Sequence, residues 1–232
     1  MKIDPFDPQR LHSQFLDSMT TNGMRTIGAI VAWAHVRAPG IGAERWGDVG
    51  RSRSGVLRWI QIDADLIGLK GKMPGVDIEL CDNPSGGGTH IEVGAGNLRM
   101  LLAHDSDPQT LVPVCDYGKL LTRSNTNWLF PELQAEEDAK RKRNRSTYYA
   151  VLFHSKASSK GDAPYCLEVR FPDGEEKYAA DHLKLYALFP ELMDETWLLK
   201  ASMNWMALPV AKEEKIKEEG LPKLRRPGQV GN

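Results

Sequence analysis

Two kinds of residue in this 232-residue chain are spaced so that they could do chemistry. The first is a dense run of cations, Lys140-Arg141-Lys142-Arg143-Asn144-Arg145, followed directly by Ser146, Thr147, Tyr148 and Tyr149. Cations hold phosphates and aromatic rings stack on bases, so this mixture suits a nucleic-acid partner. A smaller cluster lies upstream at Arg51 and Arg53, with Arg45 before it and Arg58 after it. Gly50 and Gly55 flank that pair and would let backbone amides approach an anion. The competing account of the 140–145 run is a solvated helix end. Cations at a helix C-terminus are favoured by the dipole, and Glu136 and Glu137 neutralise part of the charge.

The second kind is a set of carboxylates, Asp63, Asp65, Asp77, Glu79 and Glu92. Metal-dependent nucleases place two or three carboxylates on adjacent strands, where hard oxygen ligands hold Mg²⁺ near a phosphate. Asp77, Glu79 and Glu92 are the candidate catalytic residues for that chemistry, and Tyr148 joins Arg51, Arg53, Arg58, Lys140, Arg141, Lys142, Arg143 and Arg145 as candidate nucleic-acid contacts. The carboxylate idea survives only if Asp77 and Glu92 point to the same face of a sheet. The alternative is an ordinary polar outer face of an antiparallel sheet.

From Pro74 to Gly94 the chain resembles the PD-(D/E)xK nuclease family. Pro74-Gly75-Val76-Asp77 stands for the first element and Glu92 for the acidic residue on the next strand. The resemblance implies a Mg²⁺-dependent phosphodiesterase. It departs at Glu92-Val93-Gly94, where that family carries Lys and this chain has Gly. Glu168-Val169-Arg170 has a base two residues after an acid but no suitably spaced Asp.

Other motifs are incomplete. The six histidines form no HExxH and no pair four apart, and Cys81, Cys115 and Cys166 form no CxxC. The spacing therefore predicts no resident metal or cofactor, with Mg²⁺ entering only under the nuclease reading. His90-Ile91-Glu92 with Pro113-Val114-Cys115 lacks the Pro-Cys-x-x-Cys of a zinc deaminase. Ser85-Gly86-Gly87-Gly88-Thr89 lacks the Lys of a phosphate-binding loop and reads as a hairpin loop.

Composition bounds the partners. The net charge of −1 gives no global pull towards nucleic acid or membrane, so any such role needs a local patch. The longest apolar stretch, Ile27 to Val36, is too short to span a bilayer and contains His35. The N-terminus has no basic segment followed by an apolar run, and the scattered cysteines read as reduced thiols. A cytoplasmic protein with no membrane partner is the expectation.

The elements that must position these residues follow from period. Asp7-Pro8 starts a helix that Asn22-Gly23 stops; Ile27 to Val36 is a buried helix; the Gly- and Arg-rich segment Pro39 to Gly55 reads as a long loop. Val56 to Ile62 reads as a strand. Val76 to Leu80 and His90 to Val93 alternate and pair as a hairpin. A strand at Leu111 to Val114, a helix from Pro131 to Arg145, strands at Tyr148–Phe153 and Tyr165–Phe171, and helices at Glu175–Phe189 and Glu191–Leu208 complete the pattern. Leu129-Phe130-Pro131-Glu132-Leu133 recurs as Leu188-Phe189-Pro190-Glu191-Leu192, each downstream of an apolar-Glu-Val triplet. The same helix-start chemistry used twice accounts for this.

The expected fold is α+β: a largely antiparallel sheet with an N-terminal helix and C-terminal helices packed on one face. It forms one domain over 1–210, with a possible split near Pro131, and a charged tail over 211–232. The leading functional expectation is a protein that binds or processes nucleic acid through local basic patches. A non-catalytic assembly subunit with other protein partners and a metal-dependent phosphodiesterase or nuclease are the alternatives, so the sequence leaves open whether the chain is an enzyme.

Overall fold

The computed structural model describes residues 8–82, 89–96, 98–105, 148–155, 163–171 and 182–206. The helix α1, Pro8–Ser18, buries Phe15 and leads to the buried Met19. It ends earlier than Asn22-Gly23 because Thr20 caps the next helix: its hydroxyl accepts the Gly23 amide at 3.0 Å. That helix, α2 (Thr21–Ser52), carries the unbroken buried run Ile27–His35 through the centre of the molecule.

The loop expected over 39–55 is helical instead. α2 continues past Pro39 and bends only at Trp46 and Gly47, where Gly47 takes φ 57°. The bend folds the last turns back so that Gly42 and Gly50 meet. A Cβ on Gly50 would stand 2.0 Å from the Gly42 carbonyl oxygen. Gly42 and Gly50, which read as loop punctuation, are thus close-packing residues inside a helical turn.

The strand expected at Val56–Ile62 is also helical, part of α3 (Ser54–Gly68). Its buried stripe is Ser54, Arg58, Ile62 and Leu66, at four-residue spacing, while Val56, Ile60, Ala64 and Ile67 are exposed opposite. The short apolar run fitted either period, and packing of this stripe against α2 decided for the helix.

Among the described residues, six strands form one sheet in chain order: β1 (Asp77–Asp82), β2 (Thr89–Ala95), β3 (Leu98–Asp105), β4 (Tyr148–Ser155), β5 (Leu167–Arg170) and β6 (Leu183–Lys184). The hairpin expected from the alternation at 76–80 and 90–93 is β1 and β2. Every neighbouring pair is antiparallel except β3 and β4, which run parallel at the centre. The sheet is therefore two three-stranded meanders laid side by side. Ile78, Ile91, Val93, Leu98, Met100, Ala150, Leu152, Leu167 and Val169 belong to the main core. The fold is α+β.

The C-terminal end differs in detail from the sequence reading. Leu183 pairs with Val169 as an edge strand, so the helix expected over 175–189 reduces, in its described part, to α4 (Leu185–Leu188). A 3₁₀ turn (Pro190–Met193) precedes α5 (Glu195–Met206). Asp194 caps α5, its carboxylate accepting the Thr196 and Trp197 amides at 2.8 and 3.2 Å. Leu198 and Trp205 carry α5 into the core beside α2. No helix among the described residues is long and apolar enough to cross a membrane. The expected strand at Leu111–Val114, the helix at Pro131–Arg145, the split near Pro131 and the tail over 211–232 lie outside the described residues.

The contact between Gly42 and Gly50 is backbone against backbone, so rotating a side chain cannot relieve it. Gly50→Ala is expected to cost ~1–3 kcal/mol of stability through overpacking, read as a lower urea midpoint with an unchanged slope. Gly40→Ala, which meets nothing within 4 Å, serves as the control and leaves the midpoint near or slightly above wild type.

Candidate metal centre

The β1–β2 register sets the site. Asp77 pairs with Gly94, Glu79 with Glu92, and Cys81 with His90. Residues directly opposite in an antiparallel pair share a face, and every second residue along a strand returns to it. Asp77, Glu79, Cys81, His90 and Glu92 therefore all project from the side of the sheet away from α2 and α3. The one-face condition placed on Asp77 and Glu92 is met.

The side chains converge further on β2. His90 Nε2 lies 3.2 Å from Glu92 Oε1, and Arg99 Nε stands 4.0 Å from Glu92 Oε2. Ligand atoms of Cys81, His90 and Glu92 all fall within 4.8 Å of one another. Glu92 is buried, Cys81 and His90 half-buried, Asp77 and Glu79 exposed. Burial pushes the Cys81 thiol up to about 11, and the neighbouring Glu92 and Glu79 charges add to the shift. A cation bound beside the sulfur would reverse that balance and favour thiolate.

Gly94 has a specific use here. A Cβ at that position would lie 1.8 Å from an Arg99 guanidinium nitrogen. Arg99 is the register partner of Gly94 and lies across it. Where the nuclease pattern carries Lys, this chain has Gly, and the cation over that position comes from the next strand.

The second meander carries a related cluster. Glu168 occupies the middle strand β5 as Glu92 occupies β2, on the same outer face. Arg170 Nε donates to Glu168 Oε1 at 2.6 Å, and His182 Nδ1 approaches the same oxygen at 3.0 Å. The Arg170 guanidinium also covers the Phe153 ring at 3.6 Å. Burial pushes the Glu168 carboxyl up, but His182 and Arg170 outweigh it and hold it down at about 2. Each central Glu thus has one His and one Arg. The difference lies at the second position after it: Arg170 in one meander, Gly94 in the other. Both glutamates also face a thiol, Cys81 beside Glu92 and Cys166 beside Glu168, but Glu168 is closed by a tight ion pair while Glu92 holds the Arg99 Nε at 4.0 Å.

A third polar group lies on the inner face. His104 and His154 are register partners at the ends of the parallel strands β3 and β4. His35 from α2 reaches His154, Nε2 to Nδ1, at 2.9 Å, so one ring donates and the other accepts. Arg58 Nη1 donates to His104 Nε2 at 3.1 Å, and the Trp59 ring packs against His154. His35 Nδ1, His154 Nε2 and Arg58 Nε are buried with no hydrogen-bond partner. Burial first, then the charges of Arg58 and His104, lowers His35 to about 2. Burial also holds His154 well below its ordinary value, helped by His35, His104 and Arg58.

The basic residues are dispersed. Arg51 and Arg53 are exposed where α2 meets α3, in the helix layer. Arg58 sits on the inner stripe of α3, only 9% exposed, and points at His104 rather than at solvent. Tyr148 opens β4, and Lys140, Arg141, Lys142, Arg143 and Arg145 lie outside the described residues. Cys81 and Arg99 had no motif to mark them. Their one signal was the alternation Asp77-x-Glu79-x-Cys81 against His90-x-Glu92, which becomes a site only once the register is known. No protein-family model, curated protein or solved structure matches the chain.

The inner histidines make stability depend on pH. Their folded-state affinity for protons is depressed below the ordinary value of 6.5. The unfolded chain therefore binds more protons than the native state once pH drops below that value. Their contribution is complete above about pH 6.5 and is lost on acidification, by up to ~1.4 kcal/mol per pH unit for each ring. Urea unfolding between about pH 7 and about pH 5 is expected to show that slope, and it flattens in the His35→Gln/His154→Gln double variant. Equal slopes in the two proteins would mean that the pair does not titrate on unfolding.

Proposed function

We propose that the protein is a metal-dependent phosphodiesterase that processes nucleic acid, with its reacting centre on the outer face of β1 and β2. The observation that carries this reading is the convergence of Cys81, His90 and Glu92 ligand atoms within 4.8 Å, on the face that also bears Asp77 and Glu79. A divalent ion held by these three residues would polarise a phosphoryl oxygen and lower the pKa of a bound water. In this reading Glu79, exposed and directly opposite Glu92, would be the base that takes the proton of the attacking water. Attack of that water on phosphorus would break the P–O bond to the leaving group, whose oxygen would take a proton from solvent. Arg99, across Gly94, supplies positive charge for the second phosphoryl oxygen.

Arg51 and Arg53 support nucleic acid as the substrate class through a separate surface. They are exposed, but they belong to the helix layer and not to the face that carries Glu92. In this reading they hold phosphates away from the reacting centre.

The test is cleavage of single- and double-stranded DNA, RNA and a chromogenic phosphodiester by the full chain, with and without chelator and with each of several divalent ions restored. Metal-dependent cleavage that falls by about 100-fold or more in Glu92→Gln is the expected result. No cleavage of any of the four substrates by metal-loaded protein would overturn the reading. Binding is tested separately by salt titration. Affinity should fall with salt and fall further when Arg51 and Arg53 are both changed to Gln, and equal affinity in the two proteins would remove those arginines from the substrate surface.

A further inference from the structure

We infer that Cys81 Sγ, His90 Nε2 and Glu92 Oε1 are three ligands of one zinc-class ion, with a fourth position open to water, and that the site does not take magnesium. This deepens the phosphodiesterase reading by naming the metal of the same site. The donor set carries the choice. Mg²⁺ takes oxygen ligands in near-ideal octahedral geometry, whereas a thiol and an imidazole in a set of three suit Zn²⁺ or Co²⁺. Three protein ligands with one open position is the arrangement of catalytic zinc sites, while structural sites close all four.

The distances agree. Bond lengths of about 2.0–2.3 Å from zinc to N, O and S place tetrahedral ligands about 3.3–3.6 Å apart. His90 Nε2 and Glu92 Oε1 stand 3.2 Å apart, and the sulfur lies inside the same 4.8 Å limit. Strand pairing fixes the scaffold, since Cys81 is the register partner of His90 and Glu92 follows on the same face. Arg99 approaches the other oxygen of Glu92, Oε2, at 4.0 Å. That gives the carboxylate an outer support of the kind that orients metal ligands, on the oxygen that does not face His90. The charges balance as well: a thiolate and a carboxylate neutralise one divalent ion, and binding releases the thiol proton to solvent. The Cys81 thiol also hydrogen-bonds the Glu92 carboxylate, so all three ligand groups meet at that side chain. The related cluster in the other meander makes the contrast, because Arg170 there closes on Glu168 at 2.6 Å and occupies the place where an ion would sit.

The experiment uses full-length chain stripped with chelator and titrated with Co²⁺, followed by absorbance. A thiolate-to-cobalt charge-transfer band saturating at one ion per chain is expected, abolished by stoichiometric Zn²⁺ and untouched by excess Mg²⁺. Cys81→Ser should lose the band and weaken Zn²⁺ binding about 10- to 100-fold or more, while Cys166→Ser keeps both. His90→Ala, which leaves the thiol in place, should weaken binding similarly and covers the case in which Cys81→Ser does not fold. No band, a band that survives Cys81→Ser, or displacement of cobalt by Mg²⁺ would overturn the assignment. The two readings fail separately. A band without hydrolysis removes the phosphodiesterase and leaves the zinc site, whereas Mg²⁺-supported hydrolysis with no band removes the zinc site and leaves the phosphodiesterase.

Discussion

The register between β1 and β2 is the constraint on which the rest of the molecule depends. With Ile78 opposite Val93, Ile78, Ile91 and Val93 turn inward to the core. The same pairing sends Glu79, Glu92, Cys81 and His90 outward together. A slip of one residue would exchange the two faces, burying carboxylates against α2 and exposing Ile and Val. Core formation and site formation are thus one event, and the hydrophobic term that holds the register also holds the ligand atoms in range of one another.

Both faces carry polar side chains where burial makes them expensive. On the inner face His35, His154 and Arg58 leave buried nitrogen atoms without partners, and each such group costs ~1–3 kcal/mol relative to a satisfied one. The two imidazoles remain neutral chiefly because burial strips a charge there of solvent, with the neighbouring histidines and Arg58 adding to the penalty. On the outer face the solution is pairing. Glu168 keeps its charge by gathering Arg170 and His182, while Glu92 has an imidazole and a more distant guanidinium, and each has a cysteine thiol beside it. The same strand position therefore supports a closed ion pair in one meander and an open donor set in the other. The Gly at 94, against Arg at 170, is the local residue that separates them.

The six-stranded arrangement also explains why Arg51, Arg53 and Arg58 do not share the face of the carboxylates. α2 and α3 cover the inner face, so Arg51 and Arg53 at their junction are carried to the helix layer. Arg58, only five residues beyond Arg53, turns inward because it falls on the stripe of Ser54, Ile62 and Leu66. Position on a helix face, which repeats about every 3.6 residues, decides whether a cation meets solvent or a buried histidine.

The sequence by itself determined the elements whose period is unambiguous: the α1 start at Pro8, the alternation at 76–80 and 90–93, the strands beginning at Tyr148 and near Tyr165, and the α+β class. It determined that Asp77, Glu79 and Glu92 alternate with apolar residues, and so where their face would be if they formed strands. Only the tertiary structure decided that Pro39–Gly55 and Val56–Ile62 are helical. The contact of Gly42 with Gly50 and the burial of one α3 stripe are long-range gains that local propensity does not contain. Tertiary structure alone also brought Cys81 to His90 and Arg99 to Gly94, because period fixes the face of a strand while register is set by which strands meet. A metal site on a sheet needs both.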